Sequence, residues 1–113
     1  EKIDVNKKSR WRGSAPIHVA AKYNNIYAIE LLLKCDGIDV NSQTNDEYKM
    51  KSCLTLSGGS ETALHFACQN NYIDIVQVLL EANGINPKIK NWEGKTPADC
   101  TDDQDVKSLF SHH

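Results

Sequence analysis

The sequence lacks any long hydrophobic run: no stretch of aliphatic residues exceeds three, as at 31–33. A membrane-crossing helix needs about 20 predominantly apolar residues and a signal peptide needs a hydrophobic opening stretch, so neither is expected. An excess of charge of one sign is missing too. The 13 Lys and Arg nearly balance the 15 Asp and Glu, for a net charge of −2. That excludes a uniformly basic coat for nucleic acid and an acidic solvating tail. Cysteines stand at 35, 53, 68 and 100, but spacings of 18, 15 and 32 contain no close pair of the kind a zinc site or a thioredoxin-like motif requires. The expectation is a soluble chain with reduced thiols, in the cytoplasm or nucleus. No glycine-rich phosphate loop is present either, since Gly58-Gly59 lacks the third glycine and the lysine. What remains is an ordinary globular composition, 40% hydrophobic and 25% charged over 113 residues, enough for one modest domain with a core. Because the chain opens on Glu1 rather than Met, a segment of a larger protein is expected.

Sliding the sequence by 47 residues overlays 17–39 on 64–86 without a gap. Eight of the 23 pairs are identical: His18/His65, Ala20/Ala67, Asn24/Asn71, Ile26/Ile73, Leu32/Leu79, Leu33/Leu80, Gly37/Gly84 and Ile38/Ile85. Apolar residues answer apolar ones between them, as in Ala28/Ile75, Ile29/Val76 and Leu31/Val78. Each block reads as two short helices. Thr62 can cap the first helix of its block, and Thr96-Pro97 supplies a cap followed by proline at the first helical position. The second helices are expected over about 26–34 and 73–81, apolar around most of their circumference, with Gly37 and Gly84 just beyond their ends. Neither pair can bury its own apolar surface, so the pairs must stack.

These residues resemble the ankyrin repeat. The T-P-L-H-x-A motif is matched by Ala15-Pro16-Ile17-His18-Val19-Ala20 and Thr62-Ala63-Leu64-His65-Phe66-Ala67, and in decayed form by Thr96-Pro97-Ala98-Asp99. Leu31-Leu32-Leu33 through Gly37-Ile38-Asp39-Val40-Asn41 is similar to the closing segment, which returns as Val78-Leu79-Leu80 through Gly84-Ile85-Asn86. Asp4-Val5-Asn6 looks like the tail of a preceding repeat. The resemblance implies an all-α solenoid of helix-turn-helix units joined by β-hairpins or loops, with about three repeats including a degenerate C-terminal cap. The expected divisions are a tail at 1–12, a repeat at 13–44, an insertion at 45–59, a repeat at 60–91 and a capping repeat at 92–113. In that cap, a helix near 103–111 offers Val106, Leu109 and Phe110 on one face, and Asp102, Asp103 and Asp105 suit the positive end of its dipole.

His18 and His65 occupy the motif histidine, which the resemblance makes structural. His65 and Cys68 lie three apart and imitate a nucleophile and base, but Cys68 replaces Ala21, a small packed position. The Asp102-Asp103-Gln104-Asp105 run lacks the glycine and closing glutamate of a calcium loop. No catalysis, metal or cofactor is expected. Asn41, after Leu33 and Asp39-Val40, resembles targets of the asparaginyl hydroxylase that modifies ankyrin domains, although the same letters are the family consensus.

The resemblance implies a monomeric protein-protein interaction module that binds a protein or peptide across hairpin tips and a concave face. The positions concerned are Trp11, Arg12 and Ser14 at the first turn, Glu61 with Gly58 and Gly59 at the second, and Trp92, Glu93 and Lys95 at the third. Lys22, Tyr23, Gln69 and Asn70 lie on the helices. Both tryptophans fall where the repeat core does not need them, and tryptophan is enriched among residues that dominate binding. Within the insertion, Tyr48, Met50, Ser52, Leu54 and Leu56 alternate with Lys49, Lys51, Cys53, Thr55 and Ser57, which suggests an extended segment with one apolar side. Tyr48 and Met50 join the candidate contacts. Two further readings stand beside this one. The basic Lys7-Lys8-Ser9-Arg10-Trp11-Arg12 stretch suits nucleic acid, although no basic stripe continues it along the helices. The other is a structural spacer in a longer array.

Overall fold

The computed structural model describes residues 4–8, 13–44 and 60–112. Two helix pairs follow each other in the chain: α1 (Pro16–Lys22) with α2 (Ile26–Leu33), and α3 (Ala63–Gln69) with α4 (Ile73–Leu80). A single 3₁₀ turn, Pro97–Cys100, stands where a third pair would start, and α5 (Gln104–Leu109) closes the stack with a last 3₁₀ turn, Phe110–His112. There is no β-strand among the described residues, and the connection that follows α4 is made of turns rather than a regular hairpin.

The helices start where the side chains dictate. Extended Thr62 accepts the amide of His65 on its hydroxyl, 3.3 Å away, and so satisfies one of the free donors of the first turn. Pro16 takes the first position of α1, where its missing N–H costs nothing. The tight turn inside each pair rests on an asparagine. Asn24 and Asn71 adopt φ of 58° and 56°, and the amide just beyond each bonds back to Ala20 or Ala67 at 2.9 Å. This is the helix-ending motif with asparagine in the left-handed position, which explains the identity of that pair in the two blocks. Gly37 and Gly84, at φ of 79° and 77°, turn the chain after α2 and α4.

The core runs along the stack as one cluster. Ile17, Ala21 and Ile29 from the first pair meet Ala63, Leu64, Ala67, Cys68, Ile75, Val76 and Leu79 from the second, and Val106 closes it. Ala21 and Cys68 are both fully buried, so the small side chain at that position is set by close packing of α1 on α3 and of α3 on the 3₁₀ turn. Leu109 and Phe110 pack half-buried against the cluster while Asp105, Lys107 and Ser108 face outward, which gives the carboxyl end one apolar and one polar side. Asp103 caps α5 by accepting the amides of Asp105 and Val106 at 2.8 and 3.3 Å.

Asparagines fasten the repeats to one another through the turns that follow α2 and α4. Asn41 donates its amide to the carbonyl of Gly84 at 2.9 Å and accepts the N–H of Asn86 at 2.8 Å. Asn6 makes the same pair of bonds one step earlier, to Gly37 at 2.7 Å and Asp39 at 2.8 Å.

Candidate interaction surface

The surface is held in place by the two motif histidines. His18 accepts the amide of Ala15 on Nδ1 at 2.9 Å, which leaves the proton on Nε2, donated to the carbonyl of Ser42 at 2.7 Å. His65 repeats this: the amide of Thr62 at 2.9 Å on Nδ1, and the carbonyl of Lys95 at 2.9 Å on Nε2. Each ring therefore ties its own helix start to the next turn. Burial holds both rings below the ordinary imidazole value, outweighing the carbonyl acceptors that favour the charged form. His65 thus has no ring nitrogen left for Cys68, whose thiol is pushed up to about 12 by burial and by Cys100.

Two sets of contacts flank α3. In the first, Thr44 gives its amide to the Glu61 carbonyl at 2.9 Å, takes the Ser60 amide at 3.0 Å, and accepts the Glu61 amide on its hydroxyl at 3.0 Å. Gln43 donates to the carbonyls of Ser60 at 2.9 Å and Lys90 at 3.2 Å, joining these residues to the turn that follows α4. That turn is built on Asn91, whose side-chain oxygen accepts the amides of Glu93 at 2.9 Å and Lys95 at 3.0 Å. Gly94, at φ of 77°, completes it.

Glu61 joins turn to helix. Expected at the partner-facing surface, it is only 4% exposed. Its Oε1 accepts from Gln69 on α3 at 3.2 Å and from Asn91 at 3.1 Å. Within this domain Glu61 is a strut beneath the surface. Cys100 shares these surroundings, and burial together with the Glu61 charge pushes its thiol up to about 11.

The other expected residues are distributed as follows. Lys22, Tyr23, Gln69, Asn70, Glu93 and Lys95 are exposed, and Ser14 is half-buried. Lys22 lies over the Tyr23 ring, 5.9 Å from its centre, and Asn70 is steadied by donating to the carbonyl of Phe66 at 2.9 Å. Trp92 is half-buried, and its indole N–H is enclosed with no acceptor among the described residues. Glu61 brings Gln69 and Asn91 together, so the end of α3 and the turn bearing Trp92 and Glu93 form one continuous area. Tyr23 stands at the end of α1, as Asn70 does at the end of α3. Trp11, Arg12, Tyr48, Met50, the rest of the 45–59 insertion and the basic Arg10 fall outside the described residues.

The family described as ankyrin repeats (3 copies) matches residues 1–91. The chain belongs to the ankyrin-repeat family. It is 34% identical to ankyrin repeat and SOCS box protein 11 of Danio rerio, over 85% of this chain and 39% of that protein. It is 32% identical to CAP-Gly domain-containing linker protein 3 of Mus musculus, over 94% of this chain and 17% of that protein. This ankyrin-repeat chain thus spans well under half the length of either relative. The solved ankyrin repeat domain of Bcl-3, described as a unique member of the IkappaB protein family, superposes with a TM-score of 0.78 at 22% identity, covering 96% of this chain and 41% of that one. Among the described residues no helix is long and apolar enough to cross a membrane.

Proposed function

We propose that this ankyrin-repeat chain is a protein-interaction module without catalysis of its own, binding a protein or peptide partner across its turn tips and the adjoining ends of its first helices. The observation that carries this reading is the Glu61 strut. It fixes Gln69 and Asn91 in one framework, and the exposed side chains beside it, Asn70, Glu93 and Lys95, do nothing for the core. Trp92, with an enclosed indole N–H that has no acceptor among the described residues, supplies the large aromatic that interfaces favour. Lys22 and Tyr23, with Ser14 below them, extend the surface on the first pair, and Trp11, Arg12, Tyr48 and Met50 belong to the same reading from the sequence. Asn41 is proposed as a hydroxylation site. Its amide is engaged with Gly84 and Asn86, so modification requires that turn to open.

The test is capture from a nuclease-treated lysate by the immobilised chain, with mass spectrometry of the bound proteins. A partner retained by the wild type and lost with Trp92→Ala plus Asn70→Ala, at unchanged circular dichroism, supports the reading. The same partners on both, or none on either, contradicts it.

A further inference from the structure

The turn after α4 holds the chain's single asparagine-glycine pair, Asn83-Gly84. Ile85 closes this turn by donating its amide to the Ala82 carbonyl at 3.3 Å, and Gly84 takes φ of 77° as its third residue. Both residues are exposed, and a Cβ placed on Gly84 would meet nothing within 4 Å. The peptide group between them is unrestrained: among the described residues the Asn83 carbonyl accepts no hydrogen bond and the Gly84 N–H donates none. The peptide groups on either side are held, by the Ile85 amide at Ala82 and by Asn41 at the Gly84 carbonyl, 2.9 Å away. The central peptide is therefore free to rotate and bring the Gly84 nitrogen against the Asn83 side chain. Every other described asparagine lacks that freedom. Asn86 precedes proline, and each of the rest has either its own side chain or the following amide in a hydrogen bond.

We propose that Asn83 is a site of spontaneous deamidation, and that its isoaspartate product loosens the joint between the two helix pairs. The Gly84 nitrogen attacks Cγ of Asn83, the Cγ–Nδ2 bond breaks, and the Gly84 amide proton leaves with Nδ2 as ammonia. Water then opens the cyclic imide. Breaking the bond from the Gly84 nitrogen to Cγ gives aspartate, and breaking its bond to the α-carbonyl carbon gives isoaspartate. The two products differ in consequence. The first block holds Asp36-Gly37 in the same turn, with Gly37 at φ of 79° and the Ile38 amide 3.3 Å from the Cys35 carbonyl, so aspartate at 83 fits. Isoaspartate runs the backbone through Cβ. The added methylene shifts the Gly84 carbonyl and the Asn86 N–H, the two groups that Asn41 grips at 2.9 and 2.8 Å.

Ageing the purified chain in warm, mildly alkaline buffer tests this, with peptide mapping by electron-transfer fragmentation to separate aspartate from isoaspartate. Asn83 is expected to convert ahead of every other asparagine, at a rate within about tenfold of that in a synthetic 81–88 peptide, and Asn83→Gln to show no conversion. The isoaspartate form, isolated by ion exchange, is expected to exchange its Asn86 N–H about tenfold faster than the unaged chain, while freshly prepared Asn83→Asp matches the unaged chain. A folded chain that protects Asn83 far beyond the peptide overturns the proposal, as does conversion no faster than at the other asparagines. Equal Asn86 exchange in the isoaspartate form and in Asn83→Asp overturns the loosening.

Discussion

The ring of His65 donates from Nε2 to the carbonyl of Lys95 across 2.9 Å, joining residues thirty apart in sequence. With Nδ1 occupied by the Thr62 amide, the ring is complete only as the neutral tautomer protonated on Nε2. The start of α3 and the turn bearing Trp92 are therefore positioned by one uncharged imidazole. His18 does the same between Ala15 and Ser42.

That relationship predicts a pH dependence. Burial lowers both imidazoles from the ordinary 6.5, so the unfolded chain takes up protons that the folded chain resists. Stability is whole above about 6.5 and falls as the pH drops below it. The urea midpoint should decline between about pH 7 and pH 5.5, and His65→Gln, which keeps a donor for Lys95, should reduce the slope. An unchanged slope in the variant would mean that the ring takes no part.

The left-handed Asn24 predicts an inversion of the usual propensity order. Asn24→Gly should leave stability within about 0.5 kcal/mol, while Asn24→Val should lose about 1–2 kcal/mol from the left-handed backbone alone. Thermal unfolding of the two variants decides it, and equal losses would place the cost elsewhere.

Thiol reactivity should divide by burial. Cys68, at about 12, and Cys100, at about 11, stay protonated at neutral pH, and Cys68 is wholly enclosed. Peptide mapping after maleimide treatment should find Cys68 unmodified until denaturant is added. Prompt labelling of Cys68 in the native chain would show that α3 opens readily.

Asn41 should contribute to stability through its two bonds to the next repeat. Asn41→Ala removes its bonds to the Gly84 carbonyl and the Asn86 N–H, both open to water, at a cost of about 0.5–1.5 kcal/mol. Chemical denaturation measures that loss. Intact mass of the natural protein shows whether one oxygen is added at this residue.

Most of the stack was legible because it rests on local signals. The Thr62 cap and the spacing of Val106, Leu109 and Phe110 need only neighbours within a turn of helix, and the paired identities recur at one fixed offset of 47 residues. The second helices end within a residue of the expected 34 and 81. Asn24 and Asn71 were visible as an identity, and the left-handed backbone gives its reason. Glu61 was not legible. A glutamate beside a turn reads as solvated, and the donors that bury it come from residues 8 and 30 positions away. The exposure of Val19 and Leu31 on the first pair was hidden for a related cause. Both look like core residues in sequence, and their exposure depends on what lies beside them in the fold.

If partners engage the area framed by Glu61, hydrogen exchange on the complex with a captured partner should show protection concentrated at 66–70 and 91–95, lost with Trp92→Ala. Protection confined to α5, or to the α1–α2 face, would contradict it.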